Sequence, residues 1–306
     1  MPVSEVLVIG RSCLDHIFVV AQFPRENTKT AISQRLVEGG GQGGTAAACI
    51  ARLGGRGCYV GRIGDDEAGR ICIERLSAFG VDTSRVLRHP EGRTPEAVIV
   101  VTAATGHRTI FYEPSRLPRL QGVDLPAGWT AFAPVLLLDP ETTYLAEILP
   151  EDEPLVVYDA ERWRDGMTAM MQRADVFAPS RSFLDDPRAG GGAPTLAGRM
   201  RHLQERLRGR LIVTDGARGA YFYANDDLLQ VPAPNVTVRD TIGAGDNFHA
   251  ALALALSRNQ DPAAAVCLAV AVASLSCRDY GGRSGIPPLE EARSLAATLA
   301  PRPAAP

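Results

Sequence analysis

The stretch that decides the reading is Arg239-Asp240-Thr241-Ile242-Gly243-Ala244-Gly245-Asp246-Asn247-Phe248, followed at once by the small, apolar run Ala250–Leu256. The two glycines let the backbone turn tightly into a helix whose first N–H groups have no partner inside the helix, and a helix start of that kind favours an anion. Asp246 falls in the same first turn. A carboxylate beside a site for negative charge is repelled, unless it has to take a proton from a hydroxyl that attacks the anion. The arrangement points to phosphoryl transfer to an alcohol. The competing reading is a plain loop-to-helix turn with Asp246 as a helix cap.

Other routes to phosphate chemistry are closed by composition. Of 32 basic residues only Lys29 is a lysine, and it has no glycine-rich lead-in. A Walker loop, a protein-kinase strand lysine and a Schiff-base lysine are therefore excluded. The chain has 306 residues, 45% hydrophobic and 22% charged, with a formal charge of −3. That near-neutral balance argues against a nucleic-acid partner and for small-molecule ligands. Six cysteines without a C-x-x-C pair and five histidines without H-E-x-x-H argue against zinc or a disulfide framework, and favour buried reduced thiols. The longest apolar segment, Ala263 to Leu275, is too short to span a bilayer, and the first five residues do not read as a leader. The expectation is a cytoplasmic protein with no membrane partner.

Outward from the motif, short β-branched runs alternate with helical spacing. Val6–Ile9, Val135–Leu138, Leu155–Tyr158, Val176–Phe177 and Leu211–Val213 read as buried strands. Gly44–Leu53, Ala68–Phe79, Thr143–Ile148, Met167–Arg173 and Leu196–Leu207 read as helices. The alternation predicts an α/β fold, a mostly parallel sheet between two helical layers, with ligands beyond the carboxyl ends of its strands. Ile17–Val20, Ile32–Val37, Ala97–Val101 and Arg108–Tyr112 break the pattern and predict a second, smaller sheet able to close over the site. Thr102–His107 reads as its hairpin turn. Pro187–Thr195 reads as a flexible loop with Thr195 capping the next helix, and 300–306 as a frayed tail.

The motif Asp-Thr-x-Gly-Ala-Gly-Asp resembles the second signature of the ribokinase-like, or PfkB-type, carbohydrate kinases. The first signature is matched by Glu38-Gly39-Gly40-Gly41-Gln42-Gly43-Gly44-Thr45-Ala46-Ala47, running into Ala51-Arg52-Leu53-Gly54. Gly61–Asp66, Gly80–Thr83, Thr214–Gly219 and Gly281–Pro287 follow in family order, so the resemblance covers nearly the whole chain. It implies a three-layer α/β/α sandwich in one domain, 1–306, with a β-sheet lid from about 15–38 and 96–113. The implied reaction moves the γ-phosphoryl of ATP, with Mg2+, to a sugar hydroxyl. Asp246 matches the family's general base, and Gly243, Ala244 and Gly245 its anion hole. Asp15, Gly40, Gly41 and Thr45 match the sugar side, while Thr214, Gly216, Gly219 and Thr241 match the nucleotide side. Asp240 and Ile242 match positions that bind a monovalent cation, K+, in several members.

Three departures mark the chain. Thr45 stands where asparagine is common; the sulfofructose kinases also carry threonine there, whereas ketohexokinases keep asparagine. The family's Asn-x-x-Glu after the Asp175–Phe177 strand is replaced by Ser180-Arg181-Ser182-Phe183. Cys277–Pro287 and Gly106–Ile110 resemble the ketohexokinase and sulfofructose kinase branch, yet the substrate-reading arginine of that branch is absent from Asp139-Pro140-Glu141-Thr142-Thr143. Arg108, Arg162 and Arg164 are the cations that can stand in, against the alternative that each is a solvated surface residue. The substrate expected is a small sugar, a ketose or a derivative. The alternatives are a nucleoside kinase of the same fold and a sugar-binding regulator impaired in catalysis; a dinucleotide oxidoreductase fits less, because Gly39–Gly44 does not directly follow an apolar strand. The exposed edges and alternating apolar residues of the lid strands predict a homodimer formed through them. His16 and His249 flank the two key aspartates, and a packed or capping role is expected for His249.

Overall fold

The computed structural model describes residues 4–125, 128–149 and 154–304. In chain order the first half holds β1 (Val6–Ile9), β2 (Cys13–Val20), β3 (Ile32–Gly40), α1 (Gln42–Arg52), β4 (Gly57–Val60), β5 (Arg62–Gly64), α2 (Glu67–Ala78), β6 (Leu87–His89), β7 (Glu96–Thr102) and β8 (His107–Tyr112). The second half holds β9 (Val135–Leu138), β10 (Leu155–Ala160), α3 (Met167–Met171), β11 (Val176–Pro179), α4 (Pro187–Gly190), α5 (Leu196–Gln204), β12 (Arg210–Thr214), β13 (Ala220–Ala224), β14 (Asp227–Val231), α6 (Ala244–Ser257), α7 (Pro262–Ser276), α8 (Leu289–Ala296) and β15 (Arg302–Pro303).

The large sheet runs β15-β14-β13-β12-β11-β10-β9-β1-β4, parallel from β12 to β4 and antiparallel from β12 to β15. Its strands are apolar on both faces, and alternation sorts the side chains. Val6, Val8, Val135 and Leu137 pack under α1, α6 and α7 with Ile50, Leu252 and Val266. Leu7, Ile9, Leu136 and Leu138 pack on the other side with Met170, Met200 and Leu203 from α3 and α5. A sheet covered on both faces is the predicted sandwich. β1 lies between β4 and β9, so the direction of winding reverses there and opens a crevice at the strand ends.

The small sheet has the order β3-β2-β7-β8, with β2 and β7 parallel and the other pairs antiparallel. Ile17, Val19, Ala97, Ile99 and Val101 form its own core, against which Ile242 packs. All six predicted cysteines are free and buried.

Three expectations are corrected. Pro187–Gly190 is a short helix, because Asp186 caps it by accepting the Arg188 N–H and proline suits its first turn; Thr195 caps α5 as expected, accepting the Gly198 N–H. Residues 302–303 of the supposed tail pair with Leu229 and Gln230, and Ala304 donates to the Leu228 carbonyl, so an open sheet edge orders them; 305–306 lie outside the described residues. The Thr143–Ile148 helix is a 3-10 segment, Pro140–Glu147, whose first turn Asp139 caps. Among the described residues no helix is long and apolar enough to cross a membrane. α7, apolar on every side, is instead buried in the core.

Candidate active site

The loop after β14 and the start of α6 build the centre of a cleft of about 500 Å3. Gly243, the residue before α6, has φ +69, and a Cβ there would lie 2.8 Å from Gly282 Cα. Only glycine makes this turn without strain. Gly243, Gly245 and Asp246 all line the cleft. Ala244 is not among its lining residues, and its N–H points back to the Thr241 carbonyl at 3.4 Å.

Burial, then the nearby Asp159 carboxylate, pushes Asp246 up to about 7, with His249 and Arg11 pulling the other way. Two further acids stand behind it at strand ends. Asp139, fully buried and raised to about 6 by burial, accepts the Arg11 N–H at 2.5 Å and the Glu141 N–H at 2.9 Å. Asp159 is held well above the usual carboxylate range by burial and by Asp139 and Glu161. The ends of β9 and β10 thus each deliver a carboxyl to the same place.

Asp15, on β2, is buried, and burial raises its carboxyl above the ordinary value. It stands against the β3–α1 turn so closely that a Cβ on Gly40 would lie 1.9 Å from its Oδ2. Gly40 is therefore a packing glycine behind the surface, whereas Gly41 (φ +80) and Thr45 face the cleft. Arg283, 2% exposed, fixes that turn from below by donating Nη2 to the Gly40 carbonyl at 2.9 Å.

On the far side Thr214 lines the cleft, while Gly216 and Gly219 do not. Gly219 serves the β12–β13 turn, since a Cβ there would sit 2.0 Å from the Val231 carbonyl oxygen. Asp215 between them is paired with Arg181 and Arg218. Asp240 is buried; its Oδ1 accepts the Ile242 N–H at 2.9 Å and its Oδ2 the Gly281 N–H at 3.0 Å. Arg108 reaches across from β8 to donate to the Thr241 hydroxyl at 2.5 Å, tying the small sheet to the loop before α6.

A family model described as pfkB family carbohydrate kinase matches residues 3–289. The chain belongs to that family. The ribokinase of Bacillus subtilis (strain 168) is 27% identical over 304 residues, covering 95% of this chain and 99% of its own. Mouse ketohexokinase is 25% identical over 296 residues, 90% of this chain and 97% of its own. An Arabidopsis thaliana ribokinase solved with ribose and ATP superposes with a TM-score of 0.81 at 22% identity, covering 96% of this chain and 98% of its own, which speaks to the fold. The enzyme class is that of an ATP-dependent carbohydrate kinase.

In this kinase several cleft residues escape a reading by motif. Arg11, Glu141 and Glu161 line it, beside Gln42 of the first glycine signature and the already noted Arg164 and His249. Arg11 donates to Gln42 at 3.0 Å, and Arg164 pairs with Glu141 at 3.2 Å. The signal that finds them is positional: residues just past the ends of β1, β9 and β10 belong to the crevice whatever their type. His16 instead pairs with Glu96 at 2.7 Å.

Proposed function

We propose that the cleft phosphorylates a small sugar, a ketose or a derivative of one, with Asp246 as general base. The hydroxyl oxygen of the sugar bonds to the γ-phosphorus of ATP, its proton goes to Asp246, and the bond from phosphorus to the bridging oxygen breaks so that ADP leaves with that electron pair. The single observation that carries the reading is the position of Asp246, in the first turn of α6 and facing the cleft beside Gly243 and Gly245. The amides at the start of α6 would meet the transferring phosphoryl group, those of Gly243 and Gly245 most directly, with Ala244 in support. The sugar would rest on Asp15, Gly41 and Thr45, with Gly40 leaving Asp15 its place. The adenosine side would occupy the region of Thr214, Thr241 and the turn holding Gly216 and Gly219. Arg108 reads as a clasp on Thr241 as much as a sugar ligand.

Mg2+ is the metal this reading calls for. Among the described residues no group of three or more His, Cys, Asp or Glu is placed to hold a metal, and Ser180-Arg181-Ser182-Phe183 stands where the family's acidic motif would be. The residues do not make a protein cage for it, so the metal would enter on the phosphates of ATP with its waters. For K+, Asp240 and the Ile242 carbonyl are the candidates; each Asp240 oxygen keeps lone-pair capacity after accepting its N–H. The chain would act as one domain, its small sheet a lid from about 15–38 and 96–113, in the cytoplasm, with two lids pairing in a homodimer.

The test is ADP release over a panel of fructose, ribose, sulfofructose and adenosine. Turnover with one or more sugars is expected. Turnover with adenosine alone would favour a nucleoside kinase, and tight sugar binding without turnover a regulator.

A further inference from the structure

His249 and Asp159 have a geometry that phosphoryl transfer through Asp246 leaves unused. His249 sits on α6 three residues after Asp246, with its side chain 5% exposed. Its Nε2 lies 2.9 Å from the Ala178 carbonyl oxygen. A carbonyl only accepts, so Nε2 carries a hydrogen. A neutral ring then has a bare lone pair on Nδ1, and that buried atom meets no well-aligned hydrogen-bond partner among the described residues, the Gly245 backbone being the other polar group beside the ring. Facing it at 3.4 Å is Asp159 Oδ2. Two acceptors set opposite each other in a buried place repel, and one hydrogen ion between them turns the repulsion into a bond.

The surroundings make that hydrogen ion matter. A cavity of about 10 Å3, room for about one water, lies among Asp139, Asp159, Asp246, His249 and Gln42. The titratable groups facing this spot are Asp246 on α6, Asp139 after β9, Tyr158, Asp159 and Glu161 from β10, Arg11 after β1 and Cys49 from α1. Against these acids stand the guanidiniums of Arg11 and Arg164, both of which Glu141 already shares. One more bare negative charge here would oppose both the ionised base and the phosphates of ATP.

We propose that His249 and Asp159 share one buried proton, and so act as a positioning pair that stays uncharged overall beside the ionised base. The proposal rests on the reading of Asp246 as that base. Loss of the shared proton in alkaline solution leaves a net negative pair next to Asp246 and slows the reaction. The pair therefore sets the alkaline limit of the enzyme, while Asp246 sets the acid limit.

The experiment is the pH profile of kcat/KM for ATP at saturating sugar, for the wild type, Asp159→Asn and His249→Asn. Each replacement keeps a hydrogen-bonding side chain and removes the shared titration. The wild type is expected to give a bell. Both variants should keep its acid limb and lose its alkaline limb, or move it by at least ~1 pH unit, with kcat lowered by no more than about tenfold. An alkaline limb unchanged in both overturns the proposal while leaving Asp246 in its role. Nitrogen NMR of histidine-labelled protein decides the pair without catalysis: His249 should show a hydrogen on Nε2 and a shared one at Nδ1 that Asp159→Asn removes. A His249 spectrum indifferent to Asp159→Asn also overturns it. If the wild type phosphorylates no sugar, the role of Asp246 falls, and the spectrum still decides whether the proton is shared.

Discussion

As the general base proposed above, Asp246 has to ionise in a place that opposes ionisation. Its carboxyl is raised to about 7, so the form able to take a proton appears only as pH rises through that value, and the acid limb of kcat/KM is expected there. The same shift has a sign for stability. A carboxyl whose folded pKa lies above its ordinary value helps the fold while it holds its proton, and that help is lost as pH rises through about 7. Asp246→Asn should therefore raise the thermal midpoint above that of the wild type at pH ~8, by a smaller margin at pH ~5, and not at all at pH ~3, below the ordinary carboxylate value, while kcat falls by about 10²–10⁴-fold. Calorimetry at these pH values and a turnover assay check both halves, and a variant with full activity would remove Asp246 from its role. At this scale Asp246, Gly243 and Gly41 were legible in the sequence because each belongs to a contiguous motif. Arg11, Asp139 and Asp159 could be placed in the site only by the sheet, since they reach it from three separate strand ends, and His249, noticed beside Asp246 in the sequence, meets Asp159 only because α6 packs on that sheet.

On the proposed reading, the start of α6 is the element on which the chemistry depends. Gly243→Ala would force a positive φ on an L-residue and press its Cβ to 3.0 Å from the Gly282 carbonyl oxygen as well as against Gly282 Cα. The expected loss is about 1–2 kcal/mol in urea unfolding, with a larger relative loss in kcat than in sugar binding. Gly40→Ala acts on the other wall: its Cβ would displace the Asp15 carboxylate, so KM for the sugar should rise by tenfold or more, about 1.4 kcal/mol, while KM for ATP changes little. Equal changes in both constants would mean that Asp15 does not read the sugar. Strands β1, β9, β10, β11 and β12, the four strands of the small sheet and helices α1, α2 and α5 were legible as elements because period two and period 3.6 differ over short windows, whereas β4, β13, β14 and α8 were not read. Pro187–Gly190 and Arg302–Pro303 were not: one depends on the Asp186 cap, and the other on a distant strand edge that no local pattern reveals.

At the scale of the molecule the small sheet carries apolar side chains on both faces. Ile99, Ile110 and Tyr112 line the cleft, while Val98 and Phe111, opposite each other in register, stand on the other face and are 40% and 55% exposed. Sedimentation at micromolar concentration is expected to give a dimer, and a Phe111→Glu variant a monomer with a weaker hold on sugar; a wild type that is monomeric throughout would refute the pairing. The segment after α7 joins the two walls of the cleft. Within a few residues Gly281 donates to Asp240, behind the loop before α6 that is proposed to hold phosphate, and Arg283 to the Gly40 carbonyl, beneath the turn proposed to hold the sugar. Two ligands that each order one short segment become thermodynamically linked. Sugar should tighten ATP by the same factor by which ATP tightens sugar, and calorimetric titration of each ligand with and without the other should find those two factors equal, both falling toward one in Arg283→Met.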